Sequence, residues 1–176
     1  MQGFDLAREA LIASDIESEN EINNYSAKIN TLYQKIKSEI LVSNDETKTA
    51  QTLFNWLWKT KPNRYRSRGS YKLNEVIDAQ LAPGLGPVGN CLGLTLLYNI
   101  LAQKFGLKIK TIWMEEAFGI TPHVFSVLHS EQRIIEIENI FPSGFDFKEY
   151  LDNPHREEWG DEELVVDIYN SKFNQG

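Results

Sequence analysis

One stretch of the chain limits the folds that it can adopt, because residues 83–105 lead from a glycine- and proline-rich loop into a helix that is apolar on most sides. Apolar residues fill most positions from Leu92 to Leu101, Phe105 follows, and Gly106 suits the residue just beyond a helix end. A helix that is hydrophobic all round has to be enclosed by other elements. We therefore predict that this helix forms the centre of the fold.

The residues before this helix show helical periodicity. Apolar residues recur every three or four positions in the segments 4–13, 18–40, 49–60 and 71–81. Ser18 is a favourable capping residue at the start of the longest segment. These segments are therefore predicted to be helices, each with one packed face and one solvated face.

The residues after the central helix follow a pattern that is typical of β-strands. The segments 107–114, 124–128 and 133–140 are short and rich in isoleucine and valine. Polar turn residues at 130–132 separate the last two segments, which predicts an antiparallel hairpin. Two terminal helices are predicted, at 147–151 and 162–173.

Helices followed by strands, without an internal repeat, predict an α+β fold in which the central helix packs on a small antiparallel sheet. With 176 residues the chain is long enough to bury a core of its own. We expect a single domain, 1–176, with a helical N-terminal part at 1–81, the cysteine helix and sheet core at 82–151, and a helical tail at 152–176.

Charge and composition exclude several classes of function. The formal net charge is −7, whereas nucleic acids and anionic membranes attract basic proteins. No apolar run approaches the roughly 20 residues of a transmembrane helix, and no signal peptide is recognisable. One cysteine cannot form an internal disulfide. We expect a cytoplasmic protein that binds neither nucleic acid nor membrane, and the sequence leaves its oligomeric state open.

A basic loop at 61–70 is the first of two segments that suggest a ligand site. It contains four basic residues, Lys61, Arg64, Arg66 and Arg68. Such a cluster could bind an anion or an acidic substrate, but in a chain this acidic we expect a solvated loop.

Residues 84–89 match the G-x-G-x-x-G pattern of dinucleotide-binding loops. That pattern requires a preceding strand, whereas these residues follow a predicted helix, and Pro87 removes an amide from the loop. The histidines and the cysteine also lack the spacing of a metal site. We therefore expect neither a cofactor nor a metal.

Cys91, the only cysteine, lies where the glycine-rich loop becomes the central helix. A buried structural cysteine is the ordinary outcome for this residue type. At the first turn of a helix, however, the positive end of the helix dipole favours a thiolate, and unpaired amides can stabilise an oxyanion. Cys91 is therefore a candidate nucleophile, with Gly89 and Asn90 as candidate cleft or oxyanion-binding residues.

A cysteine nucleophile needs a base, and His123 is the best candidate because it begins a predicted strand after a loop. A lone histidine at such a position is more often structural than catalytic. The other two histidines, His129 at the hairpin turn and His155 in a polar loop, are expected to be solvated surface residues.

Two glutamates lie in the last predicted strand. Alternation puts Glu136 and Glu138 on one face of it and isoleucines on the other. A carboxylate from this strand could orient the imidazole of His123. A solvated strand face is the ordinary fate of alternating glutamates, and both interpretations stay open at this point.

The order of these elements resembles that of the transglutaminase-like superfamily. Residues 89–98 (GNCLGLTLLY) resemble the segment of the nucleophilic cysteine, and residues 104–109 (KFGLKI) resemble the exit from its helix into a strand. Residues 122–127 (PHVFSV) resemble the histidine strand. Residues 134–139 (IIEIEN) fall where the family has a hydrophobic strand with an aspartate.

The resemblance implies a papain- or transglutaminase-like core with a catalytic triad. Cys91 would form a thioester with a peptide or amide substrate, His123 would act as base and then as acid, and Glu138 would orient His123. Glu138 matches the family spacing better than Glu136, which is the alternative third member. Two departures are visible, because a glutamate replaces the usual aspartate and Asn139 replaces the proline that follows it.

Within the superfamily the chain resembles the bacterial SirB-type branch, which has a helical N-terminal region and a segment similar to residues 70–77 (SYKLNEVI). Residues 163–170 resemble the start of the tetratricopeptide region of some members. The implied function is a thiol hydrolase or acyl-transferase without a cofactor. The alternative is a catalytically silent module for protein interaction or regulation. It would bind a peptide or protein partner through the same groove or through the helix with Trp56 and Trp58.

Overall fold

Six helices and four strands form within residues 3–175, the part of the chain that the computed structural model describes. In chain order they are α1 (Leu6–Ala13), α2 (Glu19–Glu39), α3 (Glu46–Thr60), α4 (Leu73–Leu81), α5 (Cys91–Lys104), β1 (Ile109–Met114), β2 (His123–His129), β3 (Ile134–Ile137), β4 (Arg156–Trp159) and α6 (Asp161–Gln175). The predicted α+β class, with helices first and a small antiparallel sheet after them, is confirmed. None of these helices combines the length and apolar character that crossing a membrane requires.

Side-chain caps determine where four of the helices begin, and Asp5 caps α1 by accepting a hydrogen bond from the Arg8 amide at 3.1 Å. Ser18 accepts a hydrogen bond from the Glu21 amide at 3.1 Å, as predicted from the sequence. Asp45 accepts one from the Thr47 amide at 2.9 Å, so that α3 begins a few residues earlier than predicted. Asn90 caps α5 in the same way and thereby fixes Cys91 as its first residue.

Helix α5 lies at the centre of the molecule, as its all-round apolar character predicts. Every residue from Cys91 to Ala102 is buried. The helix packs on the sheet mainly through β2, and helices α1 to α4 and α6 enclose its other sides. The N-terminus of α5, where Cys91 lies, is therefore held in place by the main part of the core.

The four strands form one antiparallel sheet in the order β3-β2-β1-β4. Strand β2 is central, and all of its residues except the last are buried because both faces of the sheet are covered. The predicted hairpin of β2 and β3 is confirmed, with Ser126 opposite Ile137. His123 thus stands at the start of the most enclosed strand.

A buried network of polar side chains joins α5 to the sheet. Asn99 donates to Thr111 Oγ1 at 3.0 Å and accepts from Ser126 Oγ at 2.6 Å. Asn139 donates to Ser126 Oγ at 2.9 Å and to Thr95 Oγ1 at 3.2 Å. Buried polar groups of this kind cost free energy unless they are paired, so the network favours one relative position of helix and strands.

The region after β3 differs from the prediction. Residues 147–151 form turns rather than a helix, because Phe147 and Tyr150 pack against other aromatic rings and a single turn is too short to be stable alone. Strand β4 lies within residues 152–176, for which the sequence predicts a helical tail. Its sequence, Arg-Glu-Glu-Trp, lacks apolar alternation because it is an edge strand that pairs only with β1.

The basic loop is not simply solvated, and this expectation is wrong for two of its four basic residues. Lys61 is buried and donates to the carbonyl oxygens of Ala82 and Gly84 at 2.6 Å each. Arg64 is also buried, donates to Gln80 Oε1 at 2.9 Å, and has its pKa lowered to about 9 by burial. These cations tie the end of α3 to α4 and to the segment that follows it.

The two tryptophans of α3 do not form an exposed docking face. Trp56 is buried and donates through Nε1 to Glu39 Oε2 at 2.6 Å. Trp58 is half-buried under the guanidinium of Arg64. Of the two rings, only that of Trp58 is therefore partly accessible to a partner.

Close backbone contact at the start of α5 requires glycine. The segment before α4 crosses the N-terminus of α5, where the Asn90 amide donates to the Ser70 carbonyl at 2.9 Å. A Cβ atom on Gly93 would lie 2.4 Å from that carbonyl oxygen and 2.7 Å from a Val76 methyl group. Gly93 therefore sets how closely this segment approaches the helix that carries Cys91.

We predict that Gly93→Ala destabilises the fold by about 2 kcal/mol, because overpacking against a backbone carbonyl outweighs the gain in helix propensity of about 1 kcal/mol. Urea unfolding followed by circular dichroism measures this change. Gly86→Ala, where a Cβ atom would meet nothing within 4 Å, is the control and should be nearly neutral. A stabilised Gly93→Ala variant would contradict the described contact.

Candidate active site

Cys91 is the first residue of α5 and lies at the edge of the core. The residue is 9% exposed. The Gly93 amide is capped by Asn90 Oδ1 at 3.0 Å, whereas the amides of Cys91 and Leu92 have no hydrogen-bond partner among residues 3–175. The thiol therefore lies beside the unpaired donors of a helix N-terminus, which attract negative charge.

His123 begins β2 and is fully buried. Its Nε2 atom lies 2.6 Å from Oε2 of Glu138. Its Nδ1 atom is buried and has no hydrogen-bond partner within residues 3–175. The bond to Glu138 fixes the orientation of the ring and leaves Nδ1 as the nitrogen that can exchange a proton with Cys91.

Glu138 is fully buried just beyond the end of β3, and its carboxylate is saturated with donors. Besides His123, the Tyr150 hydroxyl donates to Oε2 at 2.6 Å and the Ile140 amide donates to Oε1 at 3.2 Å. Hydrogen bonds of this kind stabilise an ionised carboxylate. A Cβ atom on Gly144 would lie 1.9 Å from the Glu138 carbonyl oxygen, so the turn that holds Glu138 requires a glycine there.

The charge state of His123 is set by its neighbours. Burial disfavours a charge on the ring, but interactions with Cys91 and with the hydrogen-bonded carboxylate of Glu138 outweigh it and raise the pKa of His123 from 6.5 to about 9. The ring is therefore predominantly protonated at neutral pH. The structure thus brings together the three residues that the sequence suggested, Cys91, His123 and Glu138.

Glu136, the alternative third member, has a different partner. It is buried and pairs with Arg156 of β4. The interpretation of the two glutamates as a solvated strand face is wrong, since Glu136 and Glu138 are both buried. Each has a positively charged or chargeable partner, which the sequence of β3 alone does not reveal.

The other histidines lie apart from this arrangement. His155 is exposed, as expected, with Nδ1 4.0 Å from a Glu115 carboxylate oxygen. His129 is at the opposite end of β2 from His123 and pairs with Glu158, so it is only partly solvated.

A cavity of about 210 Å³ opens onto Cys91. Asn90, Thr121 and Pro122 line it, so the loops before α5 and before β2 both contribute to its wall, and Asn90 is a cleft residue as predicted. Gly89 does not line it, and its amide already donates to the Arg64 carbonyl at 3.1 Å. Asn90 has a backbone amide bonded to Ser70, so only its side chain can offer a donor to the cavity.

Four contributors to the site and its cavity were not identified from the sequence: Tyr65, Ser67, Tyr150 and Asp167. Burial and the charges of Cys91 and Glu138 raise the pKa of Tyr65 to about 12. The pKa of Tyr150 is raised by burial, by the charge of Glu138 and by the hydrogen bond between Tyr150 and Glu138. Tyr150 was assigned to a helix that does not form. The signal for Asp167 was present, as a carboxylate within the apolar run 164–168.

Metal binding has no support in residues 3–175, where no group of three or more histidine, cysteine, aspartate or glutamate side chains could hold an ion.

Comparison of the chain with models of protein families, with curated proteins and with solved structures finds no match. The chemistry of the site therefore has to be argued from its own residues.

We predict that Glu138→Gln lowers the pKa of His123, because the variant removes the charge that stabilises the protonated ring. An NMR titration of the ring protons should give a midpoint near 9 in the native chain and a clearly lower midpoint in the variant. Glu136→Gln is the control and should leave the His123 midpoint nearly unchanged, since Glu136 pairs with Arg156. Equal shifts in both variants would contradict the specific pairing.

Proposed function

We propose that this protein is a thiol-dependent hydrolase or acyl-transferase that acts on peptide or amide bonds, with a transglutaminase-like core. Cys91 is the nucleophile, His123 is the general base and acid, and Glu138 orients His123. The order of these residues along the chain supports the assignment, as do their positions at the N-terminus of α5, at the start of β2 and just beyond the end of β3.

The observation that carries the proposal is the buried pair of His123 and Glu138 beside the thiol. A structural histidine would need no carboxylate at 2.6 Å on one nitrogen and no unpaired second nitrogen in the core. A histidine that acts as the base for a cysteine needs one bonded and one free ring nitrogen, because the first holds the ring in place while the second transfers the proton.

The reaction would begin from a thiolate and a protonated His123. Sγ attacks the carbonyl carbon of the substrate, and the carbonyl electron pair moves to oxygen. The unpaired amides of Cys91 and Leu92, together with the Asn90 side chain, supply donors to that oxyanion. When the intermediate collapses, the amine leaves with the proton from His123 and a thioester to Cys91 remains.

The second half of the reaction would use His123 as a base. Water or an acceptor amine gives a proton to Nδ1 as it attacks the thioester carbonyl. Collapse of this second intermediate releases the acid or the new amide and returns the thiolate with its protonated histidine. Throughout, Glu138 remains hydrogen-bonded to Nε2, which lowers the cost of the ring charge in the core.

The size of the cavity limits the substrate. A volume of about 210 Å³ is below the roughly 300 Å³ at which drug-sized ligand sites begin. It fits one side chain or a small acyl group rather than a larger ligand. We therefore propose an exposed or flexible peptide segment as the substrate. A reactive unpaired thiol also favours a reducing compartment, which supports a cytoplasmic location.

We predict that p-nitrophenyl acetate, a small activated ester, acetylates Cys91. Intact-mass spectrometry and peptide mapping should show one acetyl group on Cys91, and Cys91→Ser should lose this thioester adduct. His123→Ala should slow acetylation by about a hundredfold or more, the usual contribution of a general base. Release of the acetyl group to water or to an added primary amine distinguishes hydrolysis from acyl transfer.

His155→Ala is the matched control, because His155 is an exposed histidine outside the site. This variant should acetylate at the native rate. Acetylation that is absent, or that is equally fast without His123, would contradict the proposal and would favour the catalytically silent interaction module instead.

A further inference from the structure

The cavity beside Cys91 contains a second acidic group that the proposed reaction does not use. Asp167 is on α6, and its side chain lines the same cavity of about 210 Å³ as Cys91. Asp167 is 9% exposed. It lies between Val165 and Ile168, whose buried side chains belong to the core.

Asp167 is unusual among the buried carboxylates because nothing in residues 3–175 compensates its charge. Glu138 is bonded to His123 and Tyr150, and Glu136 is paired with Arg156. Asp167 has neither a hydrogen bond nor an ion pair with any described residue. Burial is the sole cause of a pKa that is raised to about 6, so the group is mostly ionised at neutral pH.

The remaining cavity wall does not supply a cation. Besides Cys91 and Asp167, the polar residues of the wall are all uncharged: Ser67, Asn90, Thr121, Ser171 and Asn174. The lysine nearest in sequence, Lys172, is paired with Asp15. An unpaired carboxylate in such a position costs stability, and an apolar residue at the same helix position would cost none.

We propose that Asp167 binds a cationic group of the substrate, an ammonium or a guanidinium, and so determines which acyl donors reach Cys91. This inference rests on the proposed function, since it assigns the specificity of the same cleft. A cation would supply the missing ion pair when substrate binds. The neutral wall around the carboxylate would strengthen that pair by keeping water away.

The test uses three p-nitrophenyl esters and the rate at which each acylates Cys91. The Nα-acetyl-lysine ester has a side-chain ammonium, the Nα-acetyl-norleucine ester is its neutral isostere, and the norleucine ester has a free α-ammonium only. We expect one of the two cationic esters to exceed the neutral ester by about 10- to 100-fold, the value of a charge-assisted hydrogen bond. The preferred ester identifies the source of the cation.

Asp167→Asn should abolish this preference, so that the preferred cationic ester and the neutral ester acylate the variant at similar rates. Its unfolding temperature should equal or exceed that of the native chain, because the variant removes an uncompensated buried charge. Glu162→Gln, an exposed position of the same helix, is the control and should keep the preference. A lowered unfolding temperature with an unchanged preference would show that Asp167 is structural and would overturn the proposal.

The two proposals can fail separately. If the neutral ester acylates Cys91 and neither cationic ester is preferred, the assignment of Asp167 is wrong and the thiol chemistry stands. If no ester acylates Cys91, the proposed function is wrong. Binding of Nα-acetyl-lysine methylamide and norleucine methylamide, measured by calorimetry, then decides on Asp167. If either methylamide binds the native chain and does not bind Asp167→Asn, the cation site is supported. If neither binds the native chain, or if binding persists in Asp167→Asn, the cation site is overturned.

Discussion

The hydrogen bond between His123 and Glu138 is the interaction on which the arrangement of the site depends. It lies in a part of the core where both side chains are fully buried, and its two atoms are 2.6 Å apart. In such surroundings neither group is tolerated without the other, since an unpaired buried charge costs several kcal/mol, roughly 3–5 by mutation. The bond therefore constrains the orientation of the His123 ring and the position of the turn after β3. It also constrains the placement of Tyr150, whose hydroxyl donates to the same carboxylate.

The position of the thiol relative to this pair is set by the packing of α5. The helix is enclosed along most of its length, and the network of Asn99, Ser126 and Asn139 holds it against the sheet. Asn139 directly follows Glu138, so the same few residues that orient His123 also fix the helix that carries Cys91. Asn139 thus has a structural role, because its side chain joins the segment of Glu138 to α5 and β2.

Much of the fold could be predicted from the sequence because the relevant signals are local. The all-apolar run of α5, the capping serine before α2 and the β-branched strands each predict their own element. The wrong predictions have a different cause, because there the decisive contacts are not local in the sequence. Buried charges such as Lys61, Arg64 and Glu136 look solvated until their partners from distant segments are known, and β4 is an edge strand without apolar alternation. For the site, the sequence suggested the three residues that lie together, but it did not reveal Tyr150 or the isolation of Asp167.

We propose that Cys91 and His123 act as one chemical unit, and the alkylation of Cys91 by iodoacetamide at neutral pH tests this proposal without any assumption about substrate. The protonated ring should stabilise the reactive thiolate, so the native chain should react at least about tenfold faster than His123→Ala. His129→Ala, which changes the histidine at the other end of the same strand, should react at the native rate. Equal rates for the native chain and His123→Ala would contradict the claim and would leave Cys91 as a structural cysteine at the end of a buried helix.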